Sequence, residues 1–193
     1  SASTLNVQCA LTDVDAMHPF ICNTHSFLYS SFGFVRFVFR LNDDNHVLFV
    51  AFEDSKNFEK IFKTLSKEIP CNFYKKKNDV LINLEDQLEK YFAGKLENFS
   101  IPIKTFGSDF QKEVWKGLQE LPYGSTQTYG DLAKTLGRAS SHSRAVGAAC
   151  GANAHILVIP CHRLVASGGK RGGFSCGIDR KEWLLQHEQK HGT

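Results

Sequence analysis

The chain has 193 residues, 42% of them hydrophobic and 22% charged, with a formal net charge of +3. That is enough chain for one large domain or two small ones with a real core, and the composition excludes disordered and fibrous classes. No apolar run nears the roughly 18 residues of a membrane span, and no basic start with a long apolar segment marks a signal peptide. An intracellular, reducing setting with no membrane partner is therefore expected, although a chain that begins at Ser1 leaves open a targeting segment ahead of it.

Residues 1–26 show no clear pattern. Gly33 to Leu41 alternates aromatic, β-branched and basic residues, and His46 to Phe52 is apolar. The tetrad Asn42–Asn45 between them reads as a turn, so a hairpin is expected. Phe58, Ile61, Phe62 and Leu65 follow at helical spacing, with Ser55 as a plausible N-cap. A short strand over Cys71–Tyr74 comes next, then a helix marked by Leu84, Leu88, Tyr91 and Phe92 and ended by Gly94. Lys95 to Gly107 reads as a connector. The expected division is an N-terminal α/β unit over 1–104, with a small antiparallel sheet, and a mostly helical C-terminal unit over 105–193.

In the second unit, Ser108 and Gln111 form a capping box ahead of a helix with Phe110, Val114, Leu118 and Leu121 on its inner face. Thr128 and Asp131 resemble another, opening a short helix closed by Gly137. A polar turn over Arg138–Ser141 leads to a helix from about His142 to Cys150, poor in large side chains. Two short helices joined this way have the shape of a helix-turn-helix. A glycine-rich loop spans Ser167 to Gly177. Asp179 with Glu182 then reads as a cap opening the last helix, which carries Trp183, Leu184 and Leu185, with Glu188 one turn later.

Charge is unequally shared. Residues 105–193 contain 11 Lys+Arg and 7 Asp+Glu, a balance of +4, and residues 1–104 balance at −1. The basic half suits a polyanionic partner. The six cysteines show no CxxC pair and no regular framework, which in a chain of this size fits reduced thiols.

The chemistry is concentrated between Arg144 and Val165. A helix of small residues breaks at Gly151–Asn153, and an apolar run, Ile156 to Ile159, is stopped by Pro160. Cys161-His162-Arg163 follows at once. A thiol beside a base and a cation is a setting for a nucleophile, since neighbouring positive charge favours the thiolate. A buried structural cysteine is the plainer alternative. His162 needs an acid to orient it, and Glu188 is the candidate. Arg144, on the first turn of its helix, sits where the helix dipole disfavours a cation, so contact with a phosphate or base stack is the better reading. A thiol suits attack on a soft alkyl carbon better than on phosphorus, and chemistry on a DNA base requires taking that base out of the stack.

Several pieces together resemble the O6-alkylguanine-DNA alkyltransferases, the methylated-DNA–protein-cysteine methyltransferases. They are Leu88–Phe99, Phe110–Trp115, Thr128–Ala133, Arg144–Asn153, Ile159–Val165 and Lys181–Glu188. The order Arg-Ala-Val-Gly, Gly-x-Asn, Pro-Cys-His-Arg is highly specific. The resemblance implies a ribonuclease-like N-terminal domain and a C-terminal domain with a winged-type helix-turn-helix that enters the minor groove. It implies that Cys161 takes the alkyl group from guanine O6 irreversibly. By the same resemblance His162 accepts the thiol proton through a water, Glu188 orients His162, and Asn153 is the hinge to the cysteine loop. Tyr129 turns the target phosphate and protonates the departing guanine, and Arg144 fills the gap left by the flipped nucleotide. Gln111, Gly130, Arg138 and Ser167 fall where relatives touch the DNA backbone. Ser175, Cys176, Lys181 and Leu164 fall in the pocket region. The implied partner is double-stranded DNA containing O6-alkylguanine, bound by a monomer, in the nucleus if the source is eukaryotic.

Phe174 and Cys176 depart from the Tyr and Gly common in this family, and Cys176 is expected to narrow the pocket against bulky groups. No cofactor is implied. Some members bind zinc in the N-terminal domain, and here Cys9, Cys22 and His25 are present without the spacing of a strong zinc signature. Three other functions stay open at this point. A non-catalytic lesion-binding module would lack the reactive Cys161. A cysteine hydrolase would have to account for Arg144 and the helix pair. A plain regulator would need major-groove readers that the small-residue helix does not supply.

Overall fold

The computed structural model describes residues 24–29, 33–38, 40–41, 46–52, 54–68, 79–169 and 172–192. Strand β1 (Thr24–Tyr29) pairs antiparallel with β2 (Gly33–Val38), from Thr24 opposite Val38 to Tyr29 opposite Gly33. The pairing begins in the stretch without a clear sequence pattern. The expected hairpin is β3 (Arg40–Leu41) with β4 (Val47–Phe49), antiparallel and irregular between Arg40 and Leu41. The expected strand over Cys71–Tyr74 lies outside the described residues.

All three residues of β4 are buried, which explains why His46–Phe52 reads as apolar without alternation. Backbone groups in β4 and just after it are satisfied by the connector and by the loop that follows Asn153. The Val47 N–H donates to the Pro102 carbonyl at 2.8 Å, and the Val50 N–H donates to that of Ala154 at 2.8 Å. Ile103 bridges Val47 in parallel, so the connector is partly a sheet edge.

Helix α1 (Phe58–Glu68) begins three residues after Ser55. Ser55 is therefore not its cap, and its carbonyl instead accepts from the Phe58 N–H at 3.0 Å in the turn ahead of the helix. Helix α2 (Asp79–Phe92) buries Leu81, Leu84, Leu88, Tyr91 and Phe92, a stripe at helical spacing. Helix α3 (Asp109–Gln119) carries the expected capping box, with the Ser108 and Gln111 side chains each accepting from the other's backbone. After β5 (Gln127–Thr128), α4 (Tyr129–Thr135) is capped by Thr128, whose hydroxyl accepts from the Asp131 N–H. That hydroxyl also donates to the Asp131 carboxylate at 2.6 Å, so the reciprocal half of a capping box is replaced by a side-chain bond. Gly137, with φ of +70°, ends the helix in a conformation that other residues resist.

A single 3₁₀ turn, Ser140–His142, leads into α5 (Ser143–Gly151). Helices α3, α4 and α5 pack on one another, and the Trp115 indole N–H on α3 donates to the Ala149 carbonyl on α5 at 2.9 Å. The strand β6 (Leu164–Val165) pairs in parallel with β5. Helix α6 (Ile178–His191) closes the chain. Its N-cap is Gly177, not Asp179, and no side chain caps it. Asp179 lies inside the first turn, where its charge favours the helix dipole without closing a capping bond.

One hydrophobic core joins the N-terminal and C-terminal regions, including Val47, Val50 and Leu88 with Val114, Leu118, Ile159 and Leu184. Among the described residues no helix is long and apolar enough to cross a membrane.

Candidate active site

Cys161 opens a single 3₁₀ turn, Cys161–Arg163, directly after Pro160. The apolar run before it is not a strand. It folds into a tight loop in which Ile156 bridges Ile159, and Leu157 takes φ of +72°, alone among non-glycine residues described. That conformation costs a branched side chain about 1–3 kcal/mol. Asn153 stabilises the loop. Its Oδ1 accepts from the His155 N–H at 2.8 Å, and its Nδ2 donates to the Ile159 carbonyl at 2.9 Å and to Cys161 Sγ at 3.3 Å. One buried side chain thus links the end of α5 to the sulfur.

The turn sends its three side chains to different places, because successive residues of a 3₁₀ helix are about 120° apart. Cys161 lines a cavity of about 270 Å³ with Tyr129, Gly147, Cys150, Phe174 and Ser175. His162 and Arg163 turn to Glu188. His162 Nε2 donates to Glu188 Oε1 at 2.7 Å, and Arg163 donates from Nε to Oε2 at 2.8 Å and from Nη2 to Oε1 at 3.1 Å. The Tyr91 hydroxyl and the Gly124 N–H complete the set at 2.8 and 3.1 Å. Glu188 and His162 are both fully buried.

This corrects the reading of Arg163 as the cation beside the thiol. Its charge is spent on Glu188, and the cation that acts on the sulfur is Lys181. Lys181 is fully buried on α6, donates to the Leu164 carbonyl at 2.5 Å, and lies 5.7 Å from the Tyr129 ring centre. Burial still dominates: it pushes the Cys161 thiol above its ordinary value, against the Asn153 hydrogen bond and the Lys181 charge. The resting sulfur is therefore a protonated thiol that needs a base.

Burial likewise pulls His162 below its ordinary value, although its bond to Glu188 opposes this. The ring is neutral, with its proton on Nε2 facing Glu188, and Nδ1 has no hydrogen-bond partner among the described residues. Burial also opposes the charge on Glu188, but the bonds to His162 and Arg163 outweigh it and bring the carboxyl down to about 2. The arrangement is a buried carboxylate, an oriented neutral imidazole with a free lone pair, and an adjacent thiol, the general form of an activated nucleophile.

Tyr129 lines the cavity, and its hydroxyl donates to the Gly173 carbonyl at 3.2 Å. Burial first, then the Cys150 and Cys161 sulfurs, raise it to about 12, so it keeps its proton. Ser175 is on the cavity wall, whereas Cys176, Leu164 and Lys181 are buried and do not line it. The expected narrowing by Cys176 is thus not direct. Phe174 and Cys150 form the wall instead, and the Cys176 sulfur lies 3.7 Å from Ser175 Oγ.

The remaining residues lie outside the cavity. Arg144 is exposed on the first turn of α5. Arg138 is partly exposed, pairs with Glu113 at 2.7 Å and lies over the Phe110 ring. Gln111 is engaged in its capping box, Gly130 packs close to Ser140, and Ser167 is exposed in a turn. Among the described residues no three His, Cys, Asp or Glu side chains are grouped to bind a metal, and Cys9 and Cys22 lie outside those residues.

The sequence signature of the 6-O-methylguanine DNA methyltransferase DNA binding domain matches residues 109–190, and that of its ribonuclease-like domain matches residues 41–105. The chain is 44% identical over 124 residues to a methylated-DNA–protein-cysteine methyltransferase of Methanosarcina barkeri, covering 64% of this chain and 77% of the relative. It is 48% identical over 106 residues to the protein of that name from Shigella flexneri, covering 54% and 61%. Among solved structures, Mycobacterium tuberculosis OGT in complex with DNA superposes with a TM-score of 0.68 at 29% identity, covering 86% of this chain and 92% of that one. The O6-methylguanine-DNA methyltransferase of Pyrococcus kodakaraensis gives 0.67 at 28% identity, with coverages of 88% and 98%. Such bacterial and archaeal relatives lend no support to the nuclear location suggested above. Signatures, relatives and fold agree, and the chain belongs to the methylated-DNA–protein-cysteine methyltransferase family.

Proposed function

We propose that this protein repairs DNA by moving the alkyl group of O6-alkylguanine onto Cys161, once per molecule. The observation that carries the reading is the buried Cys161 thiol at the wall of a base-sized cavity, one residue from an imidazole whose free nitrogen is backed by Glu188.

In the step, His162 Nδ1 takes the thiol proton, directly or through a water, and Glu188 steadies the imidazolium. The sulfur attacks the alkyl carbon in line. The S–C bond forms, the C–O6 bond breaks, and its electron pair stays with the guanine, which Tyr129 protonates. A thioether has no thiolate left to regenerate, so turnover stops at one. The hinge role belongs to Asn153, which ties α5 to the sulfur.

The reading extends to duplex DNA. The small residues of α5 let the backbone approach the minor groove, and Arg144 occupies the space of an extruded nucleotide. Gln111, Gly130, Arg138 and Ser167 flank this face and contact the backbone. The protein acts as a monomer on each lesion, within the cell. Residues 1–104 and 105–193 are the two units, the first supporting the second.

Cys161→Ala tests the assignment. It should abolish transfer from duplex O6-methylguanine and leave duplex binding within about twofold, since truncating a buried thiol removes no phosphate contact. Retained transfer would overturn it. Multiple turnovers by the unaltered protein would favour a hydrolase instead.

A further inference from the structure

The turn between β4 and α1 belongs to the N-terminal region, yet it is tied to both sides of the cavity. Asn57 itself lines the cavity, and its Nδ2 donates to the carbonyl of Gly151, the last residue of α5, at 2.8 Å. The Lys56 N–H donates to the carbonyl of Ser175, on the opposite wall, at 3.0 Å. Asp54 receives both terminal nitrogens of Arg180, at 2.7 and 2.8 Å. Arg180 in turn donates to the Cys176 carbonyl at 3.3 Å and lies 4.6 Å from the ring centre of buried Phe52. Three residues of one turn, Asp54, Lys56 and Asn57, therefore bridge the α5 wall and the Phe174–Ser175 wall.

Cys161 is anchored from behind through Asn153, whereas the half-buried Phe174–Ser175 loop follows two glycines, Gly172 and the exposed Gly173. The separation of the two walls is set by whatever spans them. Of the described cavity-lining residues, Asn57 alone comes from the N-terminal region. A pocket of about 270 Å³ must admit a guanine and its alkyl group, so a small change in that span changes which groups enter.

We propose that Asn57 is a specificity-determining residue, and that the Asp54–Asn57 turn is a bracket fixing the width of the alkyl-accepting cavity. The inference rests on the transfer reading above and assigns the N-terminal region a part in choosing the alkyl group. Asn57→Ala removes both a cavity-lining side chain and its link to Gly151. Asp54→Asn, at an exposed side chain, removes only the charge that positions Arg180 and loosens the far wall.

The test measures second-order transfer rates from duplexes with O6-methylguanine and O6-benzylguanine for both variants, with Lys60→Ala as a control. Asn57→Ala should raise the benzyl-to-methyl rate ratio about tenfold, the discrimination that roughly one methylene of pocket space provides. Asp54→Asn should raise it by a smaller factor, and Lys60→Ala should leave it unchanged. A merely structural role would lower both rates together and leave the ratio where it was. An unchanged ratio in folded Asn57→Ala, or in Asp54→Asn if the first variant does not fold, overturns the bracket. Absence of transfer by the unaltered protein would instead overturn the function on which it rests.

Discussion

Replacing Glu188 with Gln should damage stability and chemistry together, for reasons visible in its contacts. Glu188 accepts five hydrogen bonds. Oε1 receives Tyr91, His162 and Arg163 Nη2, and Oε2 receives Arg163 Nε and the Gly124 N–H. A Gln of the same shape has one acceptor oxygen and one donor NH₂. In either orientation at least two existing donors then face a donor. The buried Arg163 also loses its counter-charge. Removing one member of a buried ion pair costs about 3–5 kcal/mol. With a urea m-value of about 2 kcal/mol/M, the midpoint should fall by about 1.5–2.5 M. The second effect concerns the imidazole. Gln sets its oxygen at Oε1, where three donors converge, so His162 keeps its orientation, but the imidazolium that forms when Nδ1 takes the thiol proton loses its counter-charge and His162 becomes a weaker base. Single-turnover transfer should slow by roughly 10²–10⁴, the contribution of a placed general base. Both measurements are made on one preparation, with transfer assayed well below the new midpoint. A midpoint shift under about 0.5 M would refute the electrostatic argument. Transfer within about tenfold of the unaltered protein would refute the role of the Glu188 charge in supporting His162 as a base.

Other consequences follow from the same geometry. Asn153→Ala removes three hydrogen bonds made inside the core, so it should cost about 2–4 kcal/mol and slow transfer, because the sulfur loses the donor that favours its thiolate. Unfolding midpoints and single-turnover rates report the two effects, and unaltered values in both would contradict the hinge. His155 is buried, and burial lowers it from 6.5 to about 4 despite its bond to the Val47 carbonyl. The unfolded chain therefore takes up a proton first, and stability falls as pH drops from 6.5 towards 4, by about 2 kcal/mol at pH 5 from this group. Denaturation of His155→Gln across that range should show a flatter pH profile, and an unchanged slope would reject the assignment. Arg144→Ala should slow transfer on duplex DNA more than on the free base, since its proposed work is on an extruded nucleotide. Equal slowing on both substrates would remove that role.

Local patterns were readable where the cause is local. The helical stripe of α2 and the capping box at Ser108 both depend on neighbours a few residues away. Glu188 was a reasonable partner for His162 because the last helix offered it as an acid near the end of the resemblance. The charge logic around it was not legible. A cation adjacent in sequence to a thiol suggested direct activation, but a 3₁₀ turn separates the two, and Arg163 meets a carboxylate 25 residues away. Tyr91 reaches the same carboxylate across 97 residues, and no local signal announces such a contact. Asn57 is hidden for the same reason, since its partner Gly151 is 94 residues distant. The cap at Asp179 was misplaced because the chain enters α6 through Gly177 at φ of +97°, which starts the helix one residue before Asp179. Cys176 read as a pocket residue by position, whereas the loop turns its side chain into the core.

The central claim is that Cys161 is the alkyl acceptor and is used once. Its most direct test mixes the protein with duplex DNA bearing a single O6-methylguanine and locates the added mass by peptide mapping. The account predicts one methyl group per molecule, on Cys161, with unmodified guanine left in the DNA. A methyl group on Cys150 or Cys176, more than one repaired lesion per protein, or tight lesion binding without any transfer would contradict it.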